Sequence, residues 1–168
     1  MSSGSMPCFH GWLGWDCYFP KLNKNVTVFL NTETGTKTFA APYHAAHTFC
    51  GYESVVSRIC ANGGQAYEVT PFAEPFPKTF DELCEQVKTL CKKSGKKYIY
   101  CYWNEPDATM HDKGCYSDQA RQVVRRLEGQ VQELCNDLKD TLVIVTADHG
   151  HMDSQCVAIT DYPKIMEC

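Results

Sequence analysis

Two short runs of this 168-residue chain pair a carboxylate with an imidazole at spacings suited to holding a metal ion. Asp107 and His111 stand four apart, so one helical turn puts both side chains on one face. Asp148 and His149 are adjacent, and Gly150 follows them to permit a tight turn that folds both toward one ion. Mixed carboxylate and imidazole donors suit Zn²⁺ ahead of Mn²⁺ or Fe. Each run alone is a weak signal, because such pairs arise by chance on exposed helices and Asp-His-Gly can also serve as a plain helix cap. Their shared position in the fold is what gives them weight. His44-x-x-His47 also has ligand spacing, but Pro42-Tyr43 and the neighbouring alanines read as a loop with no carboxylate nearby in sequence. Trp12 and Trp15 read as core or cleft-lining residues. No P-loop, G-x-G-x-x-G or G-x-S-x-G is present.

The elements that must position these residues follow from periodicity. Strands are predicted near 26–30, 66–70, 97–103 and 141–146, and helices near 48–62, 79–94 and 118–139. Thr79 and Glu82 make a capping box ahead of Leu83, Val87 and Leu90. Ala120, Val123, Val124, Leu127, Val131, Leu134 and Leu138 draw one apolar stripe along the last helix. Thr141–Thr146 is an uninterrupted apolar run, of the kind buried on both faces of a parallel sheet. Alternating strands and helices predict an α/β layered fold with a mainly parallel sheet. Asp107 and His111 then follow strand 97–103, and Asp148 and His149 follow strand 141–146. Ligands of such sheets collect at the carboxyl ends of the strands, which places both pairs at one edge. The connection from 104 to 116 is long, as functional loops often are.

Composition bounds the rest. Hydrophobic residues make up 43% and the formal charge is −4, so the chain is globular rather than disordered and lacks a basic surface for a nucleic-acid polymer. No apolar run approaches the roughly 20 residues of a membrane span. Eleven cysteines without a C-x-x-C, several inside periodic segments, read as buried thiols. That usage favours a reducing, cytoplasmic setting.

Glu105-Pro106-Asp107-x-x-x-His111-x-x-Gly114, the long helix, and Thr141–Gly150 together resemble the alkaline phosphatase superfamily, on its type I phosphodiesterase/nucleotide pyrophosphatase branch. Ser3-Gly4-Ser5-Met6-Pro7-Cys8-Phe9-His10-Gly11 is similar to the family's [ST]-G-x-x-P-x-x-H-G segment, and Trp12-Leu13-Gly14-Trp15 resembles its bacterial members. Met110 and Cys115 depart from the usual Gly and Pro, and residues 31–70 are the least distinctive. The resemblance implies an alkaline-phosphatase-like layered αβα fold, truncated at both ends, with residues 1–168 as a single partial catalytic domain. It implies hydrolysis of a small phosphate ester or nucleotide by two divalent ions about 4 Å apart, Zn²⁺ with Mn²⁺ as the alternative. Asp107 and His111 would serve one ion and Asp148 and His149 the nucleophile-side ion, all four within roughly 10 Å. It also implies a Thr or Ser nucleophile and an Asp ligand upstream of Met1 and a last His ligand beyond Cys168. On that expectation the chain is the central part of a longer enzyme, with no nucleophile of its own. The alternative is a catalytically inactive metal-binding remnant or interaction domain on the same fold.

Overall fold

In the computed structural model of the protein the described residues are 4, 6–12, 14–155, 157–158, 161–162 and 164. Ser3, Ser5 and Leu13 of the N-terminal segment, and Cys156 and Cys168, lie outside them. The chain divides into two compact units, Met1–Trp103 with Leu134–Leu142, and Asn104–Glu133 with Val143–Cys168. No helix among the described residues is long and apolar enough to cross a membrane.

In the first unit a short helix, α1 (Pro7–His10), precedes a three-stranded antiparallel sheet of β1 (Asp16–Phe19), β2 (Lys24–Thr27) and β3 (Thr32–Glu33). The predicted strand 26–30 is therefore half turn: the chain reverses over Val28–Asn31, and Asn31 takes the left-handed conformation at φ 53°. Phe19, Val26 and Val28 bury their side chains against Ala40, Ala45 and Ala46. The predicted helix 48–62 is two helices, α2 (Ala45–Phe49) and α3 (Val55–Ala61). Gly51 at φ 55° breaks the run, and Ser54 restarts it by accepting the Ser57 N–H at 3.0 Å.

A second, two-stranded sheet pairs β4 (Gln65–Val69) in parallel with β5 (Lys97–Cys101), joined through α4 (Phe80–Cys91). The Tyr102 N–H continues the ladder to the Val69 carbonyl at 3.1 Å. At the start of α4 the Thr79 hydroxyl accepts the Glu82 N–H at 3.2 Å, while the Glu82 carboxylate reaches the N–H of Lys78 at 2.7 Å. The capping box thus closes one residue earlier than its usual form. Val69, Leu83, Cys84 and Val87 form a second core with Leu134, which belongs to the last turn of α6 (Asp118–Asp137). Lys88 bridges Glu85 at 2.9 Å and Asp137 at 2.6 Å, fastening that turn over α4. The stripe on α6 is fully buried only at Ala120 and Leu134, and Val124 is exposed. No disulfide joins any of the described cysteines. Desolvation, then the neighbouring Cys84 and Cys91, push the Cys101 thiol up to about 12, so it stays protonated at neutral pH.

One mainly parallel sheet is not what forms. Three strands are antiparallel, two are parallel, and residues 141–147 run without strand pairing among the described residues. Leu142, Ile144 and Val145 are 85%, 77% and 72% exposed. A continuous apolar run signals that a strand wants burial, but it does not name the neighbour that would supply the hydrogen bonds. An unpaired apolar segment of this kind templates association with another chain. Ile144→Lys is expected to raise the monomer fraction across a concentration series in sedimentation velocity. An unchanged distribution, or a wild-type protein monomeric throughout, would place the segment in contact with its own chain.

Candidate metal centre

The second unit carries both carboxylate–imidazole runs. In α5 (Asp107–Lys113), the Glu105 carboxylate accepts the Thr109 N–H at 3.1 Å and so satisfies a free donor of the first turn. Gly114 ends the helix at φ 89°, where a Cβ would be strained and would meet Asp153 Oδ1 at 3.5 Å. Asp107 and His111 share one face as predicted, with His111 Nε2 3.6 Å from Asp107 Oδ1.

The run after residue 147 returns to this helix through Asp153, whose Oδ1 accepts the Cys115 N–H at 2.8 Å. That bond spans 38 residues of sequence. It holds the Asp153 carboxyl below its ordinary range, while desolvation and the facing Asp153 push the Cys115 thiol up. Within the run, the His149 N–H donates to Asp148 Oδ1 at 3.1 Å. His149 Nδ1 lies 3.0 Å from the Gly150 carbonyl, which can only accept, so Nδ1 carries the proton and Nε2 is the free lone pair of the neutral ring. The Gly150 carbonyl, then Asp148 and Asp107, raise the His149 pKa against the opposing effect of desolvation.

Asp107 Oδ1 is the hub. His151 Nε2 approaches it to 2.5 Å, His111 Nε2 to 3.6 Å and His149 Nε2 to 3.7 Å. The His111 and His151 rings stand edge to face at 4.9 Å, and His149 and His151 lie 5.2 Å apart. Donor atoms of Asp107, His111 and His151 all lie within 4.8 Å of one another, the one such converging group among the described residues. A tetrahedral ion bonded at about 2.0–2.2 Å spaces its ligand atoms by roughly 3.3 Å, so one carboxylate and two imidazoles fit with side-chain adjustment alone. The group is accessible at His111, 72% exposed, and sheltered at His151, 18% exposed.

Of the four predicted ligands, then, Asp107 and His111 stand together and His149 stands beside them. Asp148 lies outside the converging group; its Oδ1 is 3.9 Å from His149 Nε2, leaving that nitrogen between two carboxylates. Gly150 is not in the left-handed region, and a Cβ there meets nothing within 4 Å, so the turn does not depend on glycine. His151 and Asp153 were absent from the predicted set. Their signal was the continuation Asp148-His149-Gly150-His151-Met152-Asp153, which places two further ligand-type side chains just past the motif. An open cleft of about 580 Å³ lined by Glu105, Thr109, Asp112, Gln122 and Arg126 includes none of the clustered residues. Concavity alone does not mark this site.

The His44 and His47 rings stack at 4.4 Å in the first unit, beside Trp12 and Tyr52. Desolvation and the charge of His47 lower the His44 pKa, and desolvation raises that of Glu68 against the pull of His47. Glu68 thus accompanies the pair electrostatically from a distant point of the sequence, but among the described residues no three ligand atoms converge there.

The sequence model of the type I phosphodiesterase / nucleotide pyrophosphatase family matches residues 1–166. The chain belongs to this family. No curated protein and no solved structure matches it. The type I phosphodiesterases / nucleotide pyrophosphatases are metal-dependent and act on small phosphoesters. Among the described residues, Asp107, His111 and His151 form the group that could hold a metal ion.

Proposed function

We propose that this protein binds divalent metal ions, Zn²⁺ ahead of Mn²⁺, and uses them to hydrolyse a small phosphate ester or nucleotide. The observation that carries the reading is the convergence of three imidazole nitrogens on Asp107 Oδ1 in a chain of this family. Asp107 and His111 are assigned to one ion, and Asp148 and His149 to a second. Bound ions of this kind supply positive charge to the phosphoryl oxygens and lower the pKa of water.

The chain's own residues do the rest. Asp107 contributes the negative charge that balances a divalent ion, and α5 fixes its direction by holding it one turn below His111. The Nδ1–H to carbonyl bond of His149 presets the tautomer, leaving Nε2 available without a proton to displace. Exposure of His111 leaves room on that side for an anionic ligand. None of the residues 1–168 is assigned as nucleophile.

The test is zinc-dependent binding of inorganic phosphate, followed by calorimetry, with turnover of p-nitrophenyl phosphate and a p-nitrophenyl nucleotide diester measured alongside. Phosphate is expected to bind the zinc-loaded protein and to be lost on adding EDTA or in Asp107→Ala. Turnover is expected to require the zinc ion and to fall together with phosphate binding in Asp107→Ala. Phosphate binding that survives both EDTA and Asp107→Ala would overturn the reading.

A further inference from the structure

We infer that His151 is a third protein ligand of the ion assigned to Asp107 and His111, making an Asp-His-His shell with a position left for substrate or water. The inference rests on the proposed metal-dependent reading and extends it to a residue that the family resemblance does not assign.

Three observations converge on His151. Its Nε2 is the nitrogen nearest to Asp107 Oδ1, closer than either His111 or His149. Its ring is the most sheltered of the three imidazoles, at 18% exposed against 72% and 56%. A sheltered, well-positioned imidazole loses little freedom on coordination, whereas an exposed one must first be ordered. Third, its position is imposed from outside the cluster. Asp153, two residues on, is bonded to the backbone of Cys115 just past the end of α5, so the segment that carries His151 is fastened beside that helix at a second point.

The donor set has a recognisable chemistry. One carboxylate and two imidazoles are the three-ligand, one-open-position arrangement of catalytic zinc. His151 Nε2–H donates to the Asp107 carboxylate. Coordination through the same nitrogen requires that proton to leave for solvent or for Nδ1, so metal uptake and loss of this hydrogen bond are coupled. Two roles are thereby separable. A residue that only supports Asp107 through a hydrogen bond is replaceable by another donor, while a ligand is not.

The experiment is Co²⁺ and Zn²⁺ titration of the 168-residue protein and its Asp107→Ala, His151→Ala and His151→Gln variants, with far-UV circular dichroism as the check on folding. Glutamine retains an N–H donor for Asp107 but has no ring nitrogen to coordinate. If His151 is a ligand, both His151 variants lose affinity beyond the roughly 10–100-fold typical of removing a group that merely supports a ligand. Both also alter the visible d–d spectrum of the bound Co²⁺, and added imidazole restores it in His151→Ala. Wild-type affinity and spectrum in His151→Gln would overturn the assignment while leaving the metal reading intact, provided Asp107→Ala still abolishes binding. A wild-type protein that takes up no metal, or an Asp107→Ala protein that binds as tightly as wild type, would overturn the metal reading itself.

Discussion

Replacing Asp107 with alanine is expected to weaken Zn²⁺ binding by more than about a hundredfold, beyond what loss of a supporting residue costs. Three imidazole nitrogens face the Oδ1 of this side chain, and among the described residues it is the carboxylate oxygen that all three share. Without it the converging group offers neutral donors alone, and the carboxylate left near the imidazoles is Asp148, outside that group. Asp107 also lies in the first turn of α5, where an acid interacts with the helix dipole for only about 0.3–1 kcal/mol. Secondary structure should therefore be kept while metal affinity collapses, and a chelator-competition titration beside circular dichroism reads both. Retained affinity would move the metal to other donors, of which the eleven cysteines are the obvious set.

Leu83→Ala carries the largest expected effect on stability, a loss of about 2–5 kcal/mol. Leu83 is 2% exposed and packs with Val69, Cys84, Val87 and Leu134, at the point where α4 meets β4 and the end of α6. Truncation leaves a hole ringed by side chains from three elements, and α4 and α6 are further tied there by Lys88, Glu85 and Asp137, which resists collapse around it. Val124→Ala, on the exposed part of α6, should change stability by no more than about 0.5 kcal/mol. Urea unfolding followed by tryptophan fluorescence compares the two, since Trp103 packs on the Leu83 cluster. Equal effects would contradict the placement of the core.

Local signals were the legible part of this fold. Thr79 and Glu82 announced α4, the apolar stripe announced α6, and the aromatic and β-branched run at 97–103 announced β5. Pairing was not legible. The apolar run at 141–146 has the residues of a buried strand, yet it forms no ladder among the described residues, because a strand's partner is a non-local fact. The split between α2 and α3 depended on Gly51 adopting a left-handed conformation that composition did not demand.

The site followed the same division. Asp107 and His111 met because their four-residue spacing is itself a geometric statement once α5 forms. His149 came beside them only through the return of a distant segment, fastened by the bond between Asp153 and Cys115. His151 showed in the sequence only as a ligand-type residue just past the motif, since nothing in an extended run says which of its side chains will face a helix more than thirty residues away.

Zinc-edge X-ray absorption of the zinc-loaded protein tests the central claim most directly, because it reads the donor atoms themselves. A shell of nitrogen and oxygen at about 2.0–2.2 Å, with the multiple scattering of imidazole and no sulfur, is the expected result. Scattering from sulfur at about 2.3 Å would place the metal on cysteine and contradict a centre built on Asp107, His111 and His151.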